Sequence, residues 1–127
     1  METSTDLAGN TGSSPGVTLY APAANKTLQG GIGNDALIGG PNDTLQGTLG
    51  SNTFVFNLNF GKDTINGFNA AQDVIAFDKH LFVDAAQVLA HTTQSGNNAV
   101  IAYDANNKVT LVGVQVSDLH DSDFNFF

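Results

Sequence analysis

Gly30-Gly31-Ile32-Gly33-Asn34-Asp35-Ala36-Leu37-Ile38 is the stretch that decides how this chain folds. Its glycines permit positive φ and let backbone carbonyls come close to a shared ion. The Asp35 carboxylate can close that ligand shell. Ala36-Leu37-Ile38 reads as a three-residue strand whose central apolar side chain points inward. One such unit cannot bury its own apolar face, so it demands neighbours of the same kind stacked on it.

The neighbours are present. An Asp followed two residues later by a large apolar residue recurs at Asp35–Leu37, Asp43–Leu45, Asp63–Ile65 and Asp73–Ile75. Lys26–Leu28 and Asn52–Phe54 are degenerate copies. The steps from 26 through 35, 43, 52, 63 and 73 are 9, 8, 9, 11 and 10 residues, close to nine at first and looser later. Gly39-Gly40-Pro41-Asn42-Asp43-Thr44-Leu45 is one residue short, and Gly47 to Phe54 is the third glycine-led copy. Stacking should bury Leu28, Leu37, Leu45 and Phe54 as a column.

Composition agrees with turns and a hard cation. Eleven of the twelve acids are Asp, against four Lys and no Arg, for a net charge of −8. Short carboxylates suit tight loops and oxygen ligation, whereas solvated helices prefer Glu and Lys. Four dispersed lysines make no basic stripe, which excludes nucleic acid as a partner. Cysteine is absent, so neither a disulfide framework nor a thiolate site staples the fold. A metal can serve instead. No apolar run reaches the length of a membrane span. Residues 1–18 lack an apolar segment and read as a flexible linker, leaving 19–127 as one domain, expected to be a monomer.

The repeat resembles the RTX family, whose nonapeptide G-G-x-G-x-D-x-U-x is matched at every fixed position by residues 30–38. The similarity extends over about residues 19–127, because Thr53-Phe54-Val55-Phe56, the segment Gly61 to Phe68 and Asp73 to Phe77 resemble the ends of family arrays. It implies an all-β fold: a right-handed parallel β-roll with Ca²⁺ held between loops on one edge. By motif position the metal ligands are the carbonyls of Gly31, Gly33, Thr48 and Gly50 with the side chains of Asp35 and Asn52. Loops two copies apart share an edge of such a roll, so Asp43 is expected to face Lys26, which weakens that site; Pro41 weakens it further. Asp63 and Asp73 are additional candidates.

Beyond the repeats, Val83 to Ala90 reads as a short helix with Asp84 as cap or first-turn acid. Ala99 to Tyr103 and Lys108 to Val114 read as strands joined at Asp104 to Asn107. Val116 to Phe127 resembles the uncleaved C-terminal signal of type I secretion substrates, with Phe124 and Phe126 on a capping strand. Asp118, Asp121 and Asp123 are expected to form a solvated cluster, and His80, His91 and His120 show no ligand spacing. No nucleophile, zinc or paired-carboxylate signature appears. The expectation is therefore a non-catalytic, secreted Ca²⁺-binding module of a larger exported bacterial protein, with the type I exporter as partner. A polyuronate-binding accessory module is the alternative.

Overall fold

Three-residue strands with one inward apolar residue are too short to be stable singly, and the chain solves this by winding. A computed structural model describes residues 18–20, 27–29, 34–46 and 50–127. Seven strands alternate between two sheets: β1 (Thr18–Tyr20), β2 (Thr27–Gln29), β3 (Ala36–Ile38), β4 (Thr44–Gln46), β5 (Thr53–Phe56), β6 (Lys62–Asn66) and β7 (Val74–Phe77). Odd strands pair in parallel in one sheet and even strands in the other. The expected linker lies outside the described residues except Thr18, which opens β1.

Each strand therefore contacts its second neighbour in sequence. Ala36 pairs with Thr53, a step of 17 residues, and Thr53 with Val74, a step of 21. In the other sheet Thr27 pairs with Thr44, a step of 17, and Thr44 with Thr64, a step of 20. The looser later period is thus absorbed in the loops, while strand register is kept.

The expected single column of apolar residues is two facing columns. Leu28, Leu45, Ile65 and Leu111 stack in one sheet. Leu37, Phe54, Ile75 and Phe124 stack in the other. All eight are buried, and each contributes about 1.5–3 kcal/mol before entropy is counted. Phe56, Phe60, Phe77 and Phe82 continue the core toward the C-terminal part, with ring centroids 5.0–6.2 Å apart along the chain of contacts.

After β7 the winding stops and a cap is built. The helix α1 (Ala85–Ala90) starts at Asp84, whose side chain accepts the Gln87 N–H. Strands β8 (Thr92–Ser95), β9 (Asn98–Asp104) and β10 (Asn107–Leu111) follow. β10 pairs in parallel with β6 and antiparallel with β9, so it is the hinge between the wound and the hairpin parts of the sheet. It ends at Leu111 rather than Val114, because Gly113 turns the chain at φ 75°. β8 lies outside the strands that the sequence predicts. Its signal is the dipeptide Gly96-Asn97, which joins β8 to β9 with Gly96 at φ 60°. The last strand, β11 (Phe124–Phe126), pairs in parallel with β7, as the terminal aromatics predict. Among the described residues no helix is long and apolar enough to cross a membrane.

Candidate metal-binding edges

Where the chain leaves a loop and enters a strand, an Asp or Asn side chain is pulled inward. Asp35, Asp43, Asn52, Asp63 and Asp73 are all buried. The alternation of strands sorts them onto two edges. Asp35, Asn52 and Asp73 precede β3, β5 and β7 on one edge. Asp43 and Asp63 stand at the starts of β4 and β6 on the other.

Both edges repeat one hydrogen-bonding device. A side-chain oxygen of each later residue accepts the backbone N–H of its counterpart one coil earlier. The Asp35 N–H donates to Asn52 Oδ1 at 2.9 Å, and the Asn52 N–H donates to Asp73 Oδ1 at 2.8 Å. On the other edge the Asp43 N–H donates to Asp63 Oδ1 at 2.8 Å. Backbone rungs flank each of these, from Thr53 N–H to Asp35 O, Val74 N–H to Asn52 O and Thr64 N–H to Asp43 O, at 2.8–2.9 Å. The side chains thus satisfy backbone donors that the loops would otherwise leave unpaired inside the protein.

Asp63 and Asp73 differ in what remains. Asp73 uses its second oxygen as well: Oδ2 accepts the Asn69 N–H at 2.8 Å and closes its own loop. Asp43 closes its own loop in the same way, its Oδ2 accepting the Gly40 N–H at 2.6 Å. Asp63 does not. Among the described residues its Oδ2, which is buried, has no hydrogen-bond partner. Burial, aided by the charge of Asp43, pushes the Asp63 carboxyl up to about 7, against the lowering effect of the Asp43 N–H. Burial also raises Asp73, but the N–H groups of Asn52 and Asn69 and the Asn52 amide oppose it. That Asn52 NH₂ makes no hydrogen bond of good geometry.

The expected site residues fall out as follows. Asp35, Gly50 and Asn52 come together on one edge, with Gly50 at φ 96° as a glycine-dependent turn requires. Gly31, Gly33 and Thr48 lie outside the described residues, as does Lys26. Asp43, expected to stack near Lys26, has Asp63 on its other side. Asn107, a hairpin residue by sequence, is buried and continues the Asp63 edge, its Oδ1 accepting the Gly61 N–H at 2.9 Å. Sequence distance hides this, because the bond spans 46 residues.

Two other expectations change. Asp118 and Asp121 are exposed, but Asp123 is buried, and its Oδ2 accepts the His120 N–H at 2.8 Å. Lys62 and Lys108 are not dispersed: parallel pairing of β6 and β10 sets them side by side. Among the described residues no three His, Asp or Glu side chains converge on one point. Any ion here therefore draws on loop carbonyls as well as carboxylates.

Comparison with known proteins bears on the whole chain. The extracellular lipase LipA from Serratia marcescens has a similar structure, with a TM-score of 0.58 and 30% sequence identity over 91% of this chain. The match covers 20% of the lipase chain, so this chain spans about a fifth of that protein. No curated protein sequence matches. The family described as Peptidase M10 serralysin C terminal matches residues 5–126. With almost its full length accounted for, and with paired parallel sheets carrying Asp at the loop edges, the chain belongs to the serralysin C-terminal family.

Proposed function

We propose that this chain is a Ca²⁺-binding, right-handed β-roll module that folds on calcium outside the cell. In this reading its last residues carry the type I export signal of a larger secreted bacterial protein. The module catalyses nothing itself; any activity belongs to cargo encoded with it. The observation that carries the reading is Asp63, a buried carboxylate with one oxygen that no donor among the described residues reaches, set against the buried Asp43. Burying such a group without a partner is costly, and a divalent cation removes the cost.

The donor set fits a hard cation. Asp43 and Asp63 would hold it on one edge. Asp35 and Asn52, with the carbonyls of Gly31, Gly33, Thr48 and Gly50, are the motif's ligands on the other. Calcium would supply positive charge that neutralises the inward carboxylates and ties successive loops together. Binding energy then becomes folding energy, because the ligands are gathered only in the folded chain. Where calcium is scarce the chain stays open enough to thread an exporter, and outside it folds. Membership of a family of C-terminal modules, and likeness to part of an extracellular lipase, support this placement.

The test is a thermal melt with millimolar calcium and with chelator. A tenfold excess over Kd should add about 1.4 kcal/mol, raising Tm by several degrees. Superimposable melts would sink the reading. A second reading, as a polyuronate-binding accessory module, gains from the Lys62–Lys108 pair, since adjacent ammonium groups repel each other unless an anion lies between them. Retardation in alginate-containing gels, lost in Lys62→Ala, would favour it over a purely structural role.

A further inference from the structure

We propose that two rungs of the roll are held by different means: a cation at Asp43–Asp63, and at Asn52–Asp73 a side-chain-to-backbone brace that needs none. The proposal rests on the calcium reading and says where in the fold calcium acts. It runs against what the repeats suggest. The loop before Asp43 is one residue short and contains Pro41, and the loop before Asp63 lacks the paired glycines, so motif matching ranks that edge as poor.

The structure reverses the ranking for these rungs. Asp73 spends both oxygens on backbone donors: Oδ1 on Asn52 N–H in the preceding coil and Oδ2 on Asn69 N–H in its own loop, each at 2.8 Å. A carboxylate accepting two N–H groups joins two coils as a bridging ion does, through its own atoms. Its neighbour in the column, Asn52, adds no charge to this rung and spends its Oδ1 on the Asp35 N–H at 2.9 Å. Asp63 is the opposite case. It spends one oxygen on the Asp43 N–H, and the other is buried and unpartnered beside a second inward-facing carboxylate. Uncompensated negative charge therefore remains at Asp63 and is already satisfied at Asp73.

The consequence is a module whose calcium-free form is not uniformly open. The coil from Asn52 through β7 should stay closed, together with β11, which pairs with β7. The loops leading to Asp43 and Asp63 should loosen. Calcium would then close the Asp43–Asp63 rung of a roll whose Asn52–Asp73 rung is already in register.

Hydrogen exchange on the full chain, with calcium and with chelator, tests this. Protection of the Asn52 amide, bonded to Asp73, should change less than about twofold on chelation. Protection of the Asp43 amide, bonded to Asp63, should fall at least about tenfold. Two variants give a second readout. Asp63→Asn should at least halve the calcium-induced rise in Tm. Asp73→Asn, which places an NH₂ against the Asn69 N–H, should lower Tm equally with calcium and with chelator. A calcium response kept in Asp63→Asn and lost in Asp73→Asn would overturn the assignment, as would an Asn52 amide that chelation exposes. A wild-type chain with no calcium response in any assay would refute the calcium reading and the cation half with it. The brace would then still stand or fall on the Asn52 amide in chelator.

Discussion

Replacing Asp63 with Asn changes one oxygen to an NH₂ at a position where no donor reaches it, and the effect can be worked out with its sign. In the metal-free fold the Asp63 carboxyl is pushed up from 3.8 to about 7. Between those values the folded chain holds a proton that the unfolded chain has released. Stability must then fall as pH rises, by about 1.4 kcal/mol per pH unit for one proton. Over the whole interval the ceiling is about 4 kcal/mol, and water at the loop edge reduces this to about 2–3 kcal/mol. The contribution is intact below about pH 4, gone above about pH 7, and flat beyond. The amide introduced by Asp63→Asn carries no such proton. Its oxygen can still accept the Asp43 N–H. In chelator at pH 8 the variant should therefore be more stable than wild type by about 2–3 kcal/mol, and less dependent on pH from 4 to 7. Asp73, also raised by burial, keeps a residual slope of the same sign. Asp78 and Asp104 are held below the usual carboxylate range by neighbouring hydrogen bonds and act in the opposite sense, weakly. Urea melts at half-unit pH intervals, in chelator, read the difference directly. Equal pH slopes for the two proteins, or a variant less stable than wild type at pH 8, would refute the reasoning. The calcium response should also grow with pH in wild type, because the ion requires the ionised carboxylate.

Phe77→Ala removes a ring in contact with Phe56, Phe60 and Phe82, so a loss of about 3–5 kcal/mol with an unchanged denaturant m-value is expected; a loss below about 1 kcal/mol would show that the aromatic cluster collapses around the gap. Gly61→Ala puts a Cβ 2.7 Å from Pro41 Cα at a residue with φ +77°, so it should cost at least about 2 kcal/mol and weaken the calcium response, both read from paired melts. Deleting residues 116–127 removes β11 and the buried Leu119 and Phe124, worth about 3–5 kcal/mol, and bares the edge of β7. The truncated chain should melt lower or aggregate, and should not be secreted from a host with a matched exporter; normal secretion would remove the export role, and an unchanged calcium-loaded melt the capping role.

The winding is legible in the sequence because its cause is local. A strand of three residues with one inward side chain, a glycine-led loop and an Asp at the junction repeat within about nine residues, and each element follows from neighbours along the chain. Leu28, Leu37, Leu45 and Phe54 can be assigned to the core on that ground, as can Asp84 to the start of α1 and Phe124 to a final strand. The alternation of loops between edges, which the family resemblance implies, also matches Asp35 with Asn52. What tertiary structure alone decides is which oxygens are already spent. Asp63 and Asp73 look alike as sequence, each an Asp two residues ahead of Ile. They differ because the loop before Asp73 folds back far enough for the Asn69 N–H to reach its second oxygen, while no donor reaches that oxygen in Asp63. The Lys62–Lys108 pair and the Asn107–Gly61 bond are hidden for a related reason: β10 returns to β6 only after a helix and a hairpin have intervened. Side-chain spacing records where a residue enters a coil; whether its charge is satisfied there depends on backbone donors brought in by the path of the chain.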